Sequence, residues 1–276
     1  MRPQDSIDQP STAVGTSSPR CYLVTGVLRP SSIATAVTRH ALADGARVIL
    51  TAPATTTALT EAQARRLGLT DPVMQWDAAD PTSGAVLANH LAELGVTRLD
   101  GVLHAVAHTD MRLLGTLLPA SLDDGLVERA SNLERAFTIS VASLASLAAG
   151  LRHLLKPGSS LLTLTFDSRH VHPGYGWMGP LKASLEATVR GLAVELGPAG
   201  VQVNALSLGP LRTPAAQAIP GFDQLAEAWS EHAALSWDPA QPEAAARTAL
   251  ALLAGALPAT TGQVLCCDGG GGLTTR

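Results

Sequence analysis

Short apolar runs alternate with longer amphipathic stretches along the whole chain from Cys21 onward. This alternation is typical of repeated β-α-β units around a parallel sheet, whose strands are buried on both faces. The apolar runs that predict strands lie at residues 21–25, 47–51, 73–76, 101–105, 160–164, 201–206 and 263–267. Helices are predicted to begin near Ser32, Thr60, Thr82, Ser131, Gly179, Phe222 and Pro242. The pattern predicts an α/β fold, a doubly wound three-layer sandwich with a seven-stranded parallel sheet and ligands at the carboxyl ends of its strands.

Length and composition favour one globular domain. The chain has 276 residues, of which 46% are apolar and 15% are charged, a balance typical of globular proteins. Because no linker or internal repeat divides the chain, residues 20–276 are predicted to form a single domain. Residues 1–19 are rich in Ser, Thr, Pro and Gln and lack the apolar centre of a signal peptide. They are predicted to form a disordered leader.

Charge and cysteine content exclude several classes of partner. The formal net charge is -4 and the basic residues are scattered, so the sequence gives no reason to expect nucleic acid. No apolar run is long enough to span a bilayer, so no membrane association is predicted. Cys21, Cys266 and Cys267 have neither zinc-ligand spacing nor the density of a disulfide framework, which favours a reducing cytoplasm. Cys266 and Cys267 are predicted to be small buried hydrophobic residues.

The stretch 165–182, TFDSRHVHPGYGWMGPLK, holds the most reactive pair of side chains in the sequence. Tyr175 and Lys182 are seven residues apart, close to two turns of an α-helix, so both are predicted to face one groove. A phenol beside a cation can act as an acid or as a hydrogen-bond donor. The alternative is a tyrosine in a loop and a solvated lysine.

The turn after the first predicted strand, TGVLRPSSIA at 25–34, contains a single glycine, Gly26. The turn therefore does not match the dinucleotide fingerprint GxGxxG. Backbone amides at the start of the next helix, with the hydroxyls of Ser31 and Ser32, could still hold a phosphate. The alternative is an ordinary turn in which Ser31 or Ser32 caps the helix.

The other strand ends specify the ligand weakly. The second strand is followed by neither an acidic residue for an NAD ribose nor an arginine for a 2'-phosphate. Asp77 could accept from an adenine amino group or cap the following helix. His104 and His108 bracket a strand end rather than share a helix face, so no metal site is predicted.

The segment LGPLRTP, 208–214, is the last of these strand ends. Its glycine and proline shape a turn, and its threonine offers a hydroxyl that could hold a carboxamide. A plain turn is the alternative. The following segment, 215–232, is either a mobile helix that covers a substrate or a surface helix.

With these motifs, the chain resembles the short-chain dehydrogenase/reductase superfamily and, within it, the mycobacterial and enterobacterial NADH-dependent enoyl-[acyl-carrier-protein] reductases. The similarity runs from about Arg20 to the end. It rests on TGVLRPSSIA, the Tyr175 to Lys182 spacing, MGPLKASLEA, GPLRT and LPATTGQVLCCDGG. The ketone-reducing members carry a lysine four residues after the tyrosine and a serine thirteen residues before it. Gly179 and Leu162 occupy those positions here, which disfavours a ketoreductase.

The resemblance implies a Rossmann-type fold, NADH in preference to NADPH, and reduction of an enoyl thioester carried by acyl carrier protein or coenzyme A. It implies a cytoplasmic homotetramer or homodimer in fatty acid biosynthesis or in a specialised acyl pathway, without a metal. Tyr175 would donate to the thioester oxygen and Lys182 would hold the nicotinamide ribose, so these two residues and Phe166 are the implied catalytic set. Phe166, Tyr175 and Met178 would border the substrate. The implied cofactor residues are Gly26, Ser32, Ile33, Asp77, Ala78, Ala105, Val106, Ala107, Lys182, Gly209, Pro210, Leu211 and Thr213.

Two further hypotheses concern substrate and chemistry. The segment between Thr213 and Trp229 is shorter than in the mycobacterial long-chain enzymes, so a shorter or unusual acyl group is expected. The second hypothesis is a non-redox protein of this fold, acting in binding, cyclisation or dehydration. Its acids and bases would be Tyr175 and a cluster of imidazoles, those of His104, His108, His170 and His172.

Overall fold

The strands form one parallel sheet. The structure is a computed structural model that describes residues 19–119, 121 and 125–273, so the predicted leader lies outside the described residues apart from Pro19. The seven strands are β1 (Cys21–Thr25), β2 (Arg47–Ala52), β3 (Met74–Gln75), β4 (Leu99–His104), β5 (Leu155–Phe166), β6 (Gln202–Leu208) and β7 (Val264–Cys267). Their order is β3-β2-β1-β4-β5-β6-β7, and every pair is parallel. The predicted doubly wound sheet of Rossmann type is confirmed.

The helices follow the strands as the alternation predicted. They are α1 (Ile33–Ala43), α2 (Thr57–Arg66), α3 (Ser83–Glu93), α4 (Leu126–Phe137), α5 (Ser143–Leu151), α6 (Met178–Leu196), α7 (Pro214–Gln217), α8 (Phe222–His232) and α9 (Glu243–Leu253). One π-helical turn, Thr138–Ala142, joins α4 to α5. The helix predicted near Ser131 therefore begins five residues earlier and continues through the π-helical turn into α5.

Two apolar clusters, one on each face of the sheet, make the three layers. Leu23 of β1 belongs to the cluster that contains Leu147 of α5 and Leu185 of α6. Its neighbour Val24 belongs to the other cluster, with Val37 of α1 and apolar residues of α9. Successive residues of a strand point to opposite faces, so a strand in the middle of the sheet is apolar at nearly every position. Burial of these side chains, at roughly 25 cal/mol per Å² of apolar area, is the main force that holds the layers together.

The carboxyl ends of the central strands lie side by side. Phe166 at the end of β5 pairs with Leu208 at the end of β6, and His104 at the end of β4 pairs with Thr163. The loops that leave these strands therefore meet at one edge of the sheet, where ligands bind in such folds.

One prediction about the last strand was wrong. Cys266 is exposed and Cys267 is only partly buried, because β7 is the edge strand and no further strand covers it. Among the described residues, no helix is both long enough and apolar enough to cross a bilayer. The same part of the chain contains no group of three or more His, Cys, Asp or Glu side chains arranged to hold a metal ion.

Candidate active site

Tyr175 and Lys182 reach the end of β5 by different routes. Helix α6 begins at Met178, one residue before the predicted start near Gly179, and Tyr175 lies in the preceding turn. Gly176 has a φ of +50°, which a right-handed helix does not allow, so the helix cannot extend back through Gly176 to Tyr175. The turn is held by the N–H of Trp177, which donates to the carbonyl of Leu113 at 2.8 Å.

The Tyr175 phenol is buried, and its hydroxyl forms no hydrogen bond with the described residues. Its side chain is 6% exposed, and its ring meets the Phe166 ring edge-on with centroids 5.2 Å apart. Burial raises the pKa of Tyr175, and the Glu186 carboxylate raises it further, so the phenol is neutral at physiological pH. No residue that the structure describes forms a hydrogen bond with its hydroxyl. This hydroxyl is therefore free to donate to a ligand.

Lys182 is a buried cation on the first turns of α6. Its Nζ donates to the carbonyl oxygen of Leu164 at 3.0 Å, next to the Phe166 backbone. Burial lowers the pKa of Lys182 to about 8, although the Glu186 carboxylate acts in the opposite direction. The ammonium thus lies at the end of β5, on which Tyr175 also packs through Phe166.

Glu186 is a site residue that the sequence interpretation missed. Its carboxylate is buried and accepts from the hydroxyls of Thr165 at 2.9 Å and Ser168 at 2.6 Å. These two residues lie on either side of Phe166 in the sequence. Their bonds to Glu186 therefore hold the end of β5 against α6. Its position four residues after Lys182 in MGPLKASLEA, on the same face of a helix, was the available signal.

His170 and His172 are bound to one carboxylate. Asp167 accepts from His170 Nδ1 at 2.7 Å and is 3.2 Å from His172 Nε2, and its other oxygen accepts from Arg169. Burial raises the pKa of Asp167, but hydrogen bonds from His170, Arg169 and His172 outweigh this effect and lower it. Asp167 was also missed, although it lies within five residues of both histidines. The two imidazoles are therefore hydrogen-bonding partners of the buried Asp167 carboxylate.

His104 is a structural histidine. It is completely buried, with Nδ1 2.9 Å from the Thr163 hydroxyl and Nε2 2.8 Å from the Ser143 hydroxyl. Burial lowers its pKa to about 3, so the ring is neutral, and Lys182 contributes to the same effect. His108 is exposed beyond the strand. The four imidazoles predicted as an acid and base cluster therefore occupy three different environments, and only His170 and His172 share one.

The exits of β1 and β4 approach each other closely. Gly26 has a φ of +80°, and a Cβ atom there would lie 2.1 Å from the carbonyl oxygen of Ala105. The Thr25 hydroxyl accepts from the N–H of Ala105 at 2.8 Å, which joins the two loops. Only glycine fits this position, and its bare backbone leaves room for a pyrophosphate at the start of α1. Val106 and Ala107 continue the wall that Ala105 begins.

The start of α1 and the exit of β3 can take the other end of a dinucleotide. Ser32 occupies the N-cap position without a side-chain capping bond, Ile33 begins the helix, and the first turn has no acidic residue. The first N–H groups of the helix could therefore bind an anion without competition from an acidic side chain in the first turn. Asp77 is exposed and accepts from the N–H of Ala79. The N-cap position of α3 is Thr82, whose side chain forms no capping bond, so the alternative that Asp77 caps this helix was wrong. Ala78 beside it is partly buried.

The loop after β6 is the wall next to β5. Gly209, Pro210 and Leu211 are buried, and the carbonyl of Pro210 accepts from the Trp237 indole at 2.9 Å. The Thr213 hydroxyl accepts from the N–H of Ala216 and caps α7, which leaves its own proton to donate. Met178 is buried at the start of α6, beside the Tyr175 turn. All of the predicted site residues therefore lie along one edge of the sheet.

Comparison with known proteins gives consistent matches. The sequence family described as Enoyl-(Acyl carrier protein) reductase matches residues 26–271. An enoyl-[acyl-carrier-protein] reductase [NADH] of Mycolicibacterium smegmatis is 33% identical over 262 residues, which cover 90% of this chain and 94% of that protein. The corresponding proteins of Escherichia coli and Bacillus subtilis are 36% identical over 217 residues and 31% identical over 264 residues. These stretches cover 77% and 93% of this chain, and 79% and 97% of the two relatives.

Proposed function

The chain belongs to the enoyl-(acyl carrier protein) reductase family, and we propose that it uses NADH to reduce the 2,3 double bond of an enoyl thioester in fatty acid biosynthesis. The observation that carries this proposal is the buried Tyr175 phenol, which packs on Phe166 at the end of β5 and whose hydroxyl has no partner among the described residues. The Lys182 ammonium is held by the Leu164 carbonyl of the same strand. The non-redox alternative is not favoured, because its four histidines are divided between a neutral core position, an exposed loop and a carboxylate.

The residues along the sheet edge suit a nicotinamide dinucleotide, which supplies the hydride when it is bound. Gly26, Ser32 and Ile33 would hold the pyrophosphate at the N-terminus of α1. Asp77 and Ala78 would contact the adenine, and Ala105, Val106 and Ala107 would line the ribose and the ring. Leu211 and Thr213, in the turn shaped by Gly209 and Pro210, would receive the carboxamide. Lys182 would hold the nicotinamide ribose through the ammonium that already donates to Leu164.

Tyr175 acts on the thioester oxygen. Reduction at the β carbon pushes negative charge onto this oxygen, and the neutral phenol donates a hydrogen bond to it as the charge develops. A preorganised donor in a buried site commonly lowers the barrier by about 3 kcal/mol. Lys182 orients the cofactor and favours negative charge nearby, while Phe166 and Met178 keep water away from the reacting double bond.

The carrier, the compartment and the assembly are further parts of the proposal. The relatives carry acyl carrier protein in their names, and an acyl carrier protein thioester is the proposed physiological substrate, with the coenzyme A thioester as its simpler analogue. A cytoplasmic homotetramer or homodimer is proposed from the family resemblance alone. Native mass spectrometry of the purified chain would decide between these two assemblies and a monomer.

The decisive experiment is an assay of NADH oxidation with crotonyl coenzyme A and crotonyl acyl carrier protein. NADPH in place of NADH tests the cofactor preference, and acetoacetyl coenzyme A tests ketone reduction. We expect turnover of the enoyl thioesters with NADH and little with acetoacetyl coenzyme A. Absence of turnover with every enoyl thioester, together with absence of NADH binding by calorimetry, would contradict the proposed function.

A further inference from the structure

His172 contacts both aromatic residues of the site. The centroid of its imidazole lies 4.7 Å from that of the Phe166 ring and 6.4 Å from that of the Tyr175 ring, which it meets edge-on. Its carbonyl oxygen also accepts from the N–H of Tyr175 at 3.1 Å. The side chain of His172 is only 10% exposed. It is therefore part of the packing that fixes where the phenol lies.

The imidazole of His172 is anchored by the Asp167 carboxylate. Its Nε2 lies 3.2 Å from an oxygen of Asp167, and no other described residue forms a hydrogen bond with this imidazole. Asp167 directly follows Phe166, the last residue of β5, and its side chain is 5% exposed. The loop that leaves the sheet is thus closed by a bond from its own first residue before the chain reaches Tyr175.

The Asp167 carboxylate is itself held by two exposed side chains. One oxygen accepts from the N–H and the Nε of Arg169, and the oxygen shared with His172 accepts from His170 Nδ1 at 2.7 Å. Among the described residues, the His170 ring contacts no aromatic ring. Arg169 and His170 therefore hold the carboxylate, whereas His172 connects it to the rings of the site.

The Tyr175 ring depends on this packing more than its neighbours do. Trp229 of α8, whose ring centroid lies 5.7 Å from that of Phe166, is held independently, because its Nε1 donates to the Asp268 carbonyl at 2.8 Å. The Tyr175 hydroxyl has no such bond among the described residues. The orientation of the phenol is therefore set by its backbone and by the rings of Phe166 and His172.

We propose that Asp167 is a positioning residue that acts through the His172 imidazole to hold the Tyr175 phenol where it donates to the thioester oxygen. This inference rests on the proposed function, which makes Tyr175 the donor. Without the carboxylate, His172 loses its anchor, and the phenol loses a fixed neighbour. A misplacement of about 1 Å can lower the rate of a reaction by about 100-fold, because the donor no longer meets the developing charge.

The test measures kcat and KM for crotonyl coenzyme A, together with the Kd of NADH by calorimetry, in the wild type and in five variants. Asp167→Asn removes the charge and keeps the size of the side chain. His172→Leu removes the ring together with its bond. The double variant Asp167→Asn/His172→Leu shows whether the two residues act through one contact or independently.

The other two variants are matched controls. His170→Ala removes the shorter of the two imidazole bonds to Asp167 but no ring contact. Asp71→Asn removes another partly buried carboxylate, which is held by two bonds from Arg47. Arg47 begins β2, so this ion pair lies at the amino end of the sheet, away from the site.

Asp167→Asn and His172→Leu are each expected to lower kcat by about 10- to 100-fold. The Kd of NADH should stay the same, because the phenol does not hold the cofactor, and the titration also measures the folded fraction by which kcat is scaled. The double variant should be no slower than the slower single variant. His170→Ala and Asp71→Asn should keep kcat close to the wild-type value.

If Asp167→Asn does not fold, His172→Leu decides the question, because it leaves the carboxylate with its bonds from Arg169 and His170. Wild-type kcat in either folded single variant would overturn the inference. So would multiplication of the two losses in the double variant, an equal loss of kcat in a control, or a loss of NADH affinity that matches the loss of kcat. In each of these cases the proposed function stands. A wild type that oxidises no NADH with crotonyl coenzyme A contradicts the proposed function itself, and the inference with it.

Discussion

Lys182 and Glu186 lie one turn apart on α6 and are both buried, yet each is held by a different group at the end of β5. The Lys182 ammonium donates to the Leu164 carbonyl, whereas the Glu186 carboxylate accepts from the hydroxyls of Thr165 and Ser168. Within the described residues the two form no salt bridge. The charges therefore compensate each other at a distance and leave the ammonium available to the ligand side of the strand.

Lys182 should make stability rise between pH 8 and 10.5. Its pKa falls from 10.5 to about 8 on burial, so below pH 8 the folded state carries the full cost of the buried charge. Between these values the unfolded state holds the proton and the folded state does not, and stability rises with pH. The free energy of unfolding of the wild type, relative to Lys182→Met, should increase by up to roughly 3 kcal/mol over this range. Urea titrations across it check this, and a difference independent of pH would contradict it.

Tyr175→Phe should remove turnover and leave NADH binding intact. The substitution deletes one hydroxyl that bonds to no described residue, so folding loses nothing, while the reaction loses the donor to the thioester oxygen. A fall in kcat of about 10²- to 10³-fold is expected. Tyr22→Phe is the matched control, since Tyr22 is the other tyrosine, buried in β1. Stopped-flow and steady-state measurements of NADH oxidation check both variants, and an active Tyr175→Phe would remove this residue from the mechanism.

Gly26→Ala should abolish NADH binding and destabilise the fold. The added Cβ would lie 2.1 Å from the Ala105 carbonyl, so the exits of β1 and β4 must separate. Gly45→Ala is the matched control, because its φ of +77° is nearly the same but nothing lies within 4 Å of the new atom. The control should cost only the left-handed backbone strain, about 1 kcal/mol. Thermal unfolding and calorimetric titration with NADH distinguish the two variants. Equal losses of stability and of NADH affinity in both would argue against a special role for the close contact between Gly26 and Ala105.

The periodicity of the sequence predicted the sheet well, because a strand buried on both faces needs apolar residues throughout. β1 has the predicted limits, whereas β5 begins five residues early, at Leu155, where a polar and proline-containing run hides the pairing from the pattern. The start of α6 was predicted to within one residue, but the shape of the turn that carries Tyr175 was not, because spacing alone does not reveal the positive φ of Gly176.

The candidate site was predicted less completely, since its polar contacts join distant parts of the chain. Phe166, Tyr175 and Lys182 were identified through one local motif. Glu186 binds Thr165, 21 residues away, and Trp229 binds Asp268, 39 residues away. Contacts of this kind depend on how α6 and α8 pack on the sheet, which no local pattern encodes.

His104 should make the fold sensitive to acid. The ring is fully buried between Thr163 and Ser143, and its pKa falls from 6.5 to about 3. Between these values the unfolded state binds a proton that the folded state rejects, so stability falls as the pH is lowered below 6.5. Gln at this position can keep a bond to a neighbouring hydroxyl but cannot be protonated.

When the pH falls from 6.5 to 4, the free energy of unfolding should therefore fall by roughly 3 kcal/mol more in the wild type than in His104→Gln. This change is counted from the difference between the two proteins at neutral pH. Urea unfolding followed by tryptophan fluorescence, in buffers of equal ionic strength, measures both curves. Parallel curves would mean that the imidazole accepts its proton inside the fold. Thr163 and Ser143 would then have to rearrange, and the end of β4 beside the cofactor wall would change shape in acid.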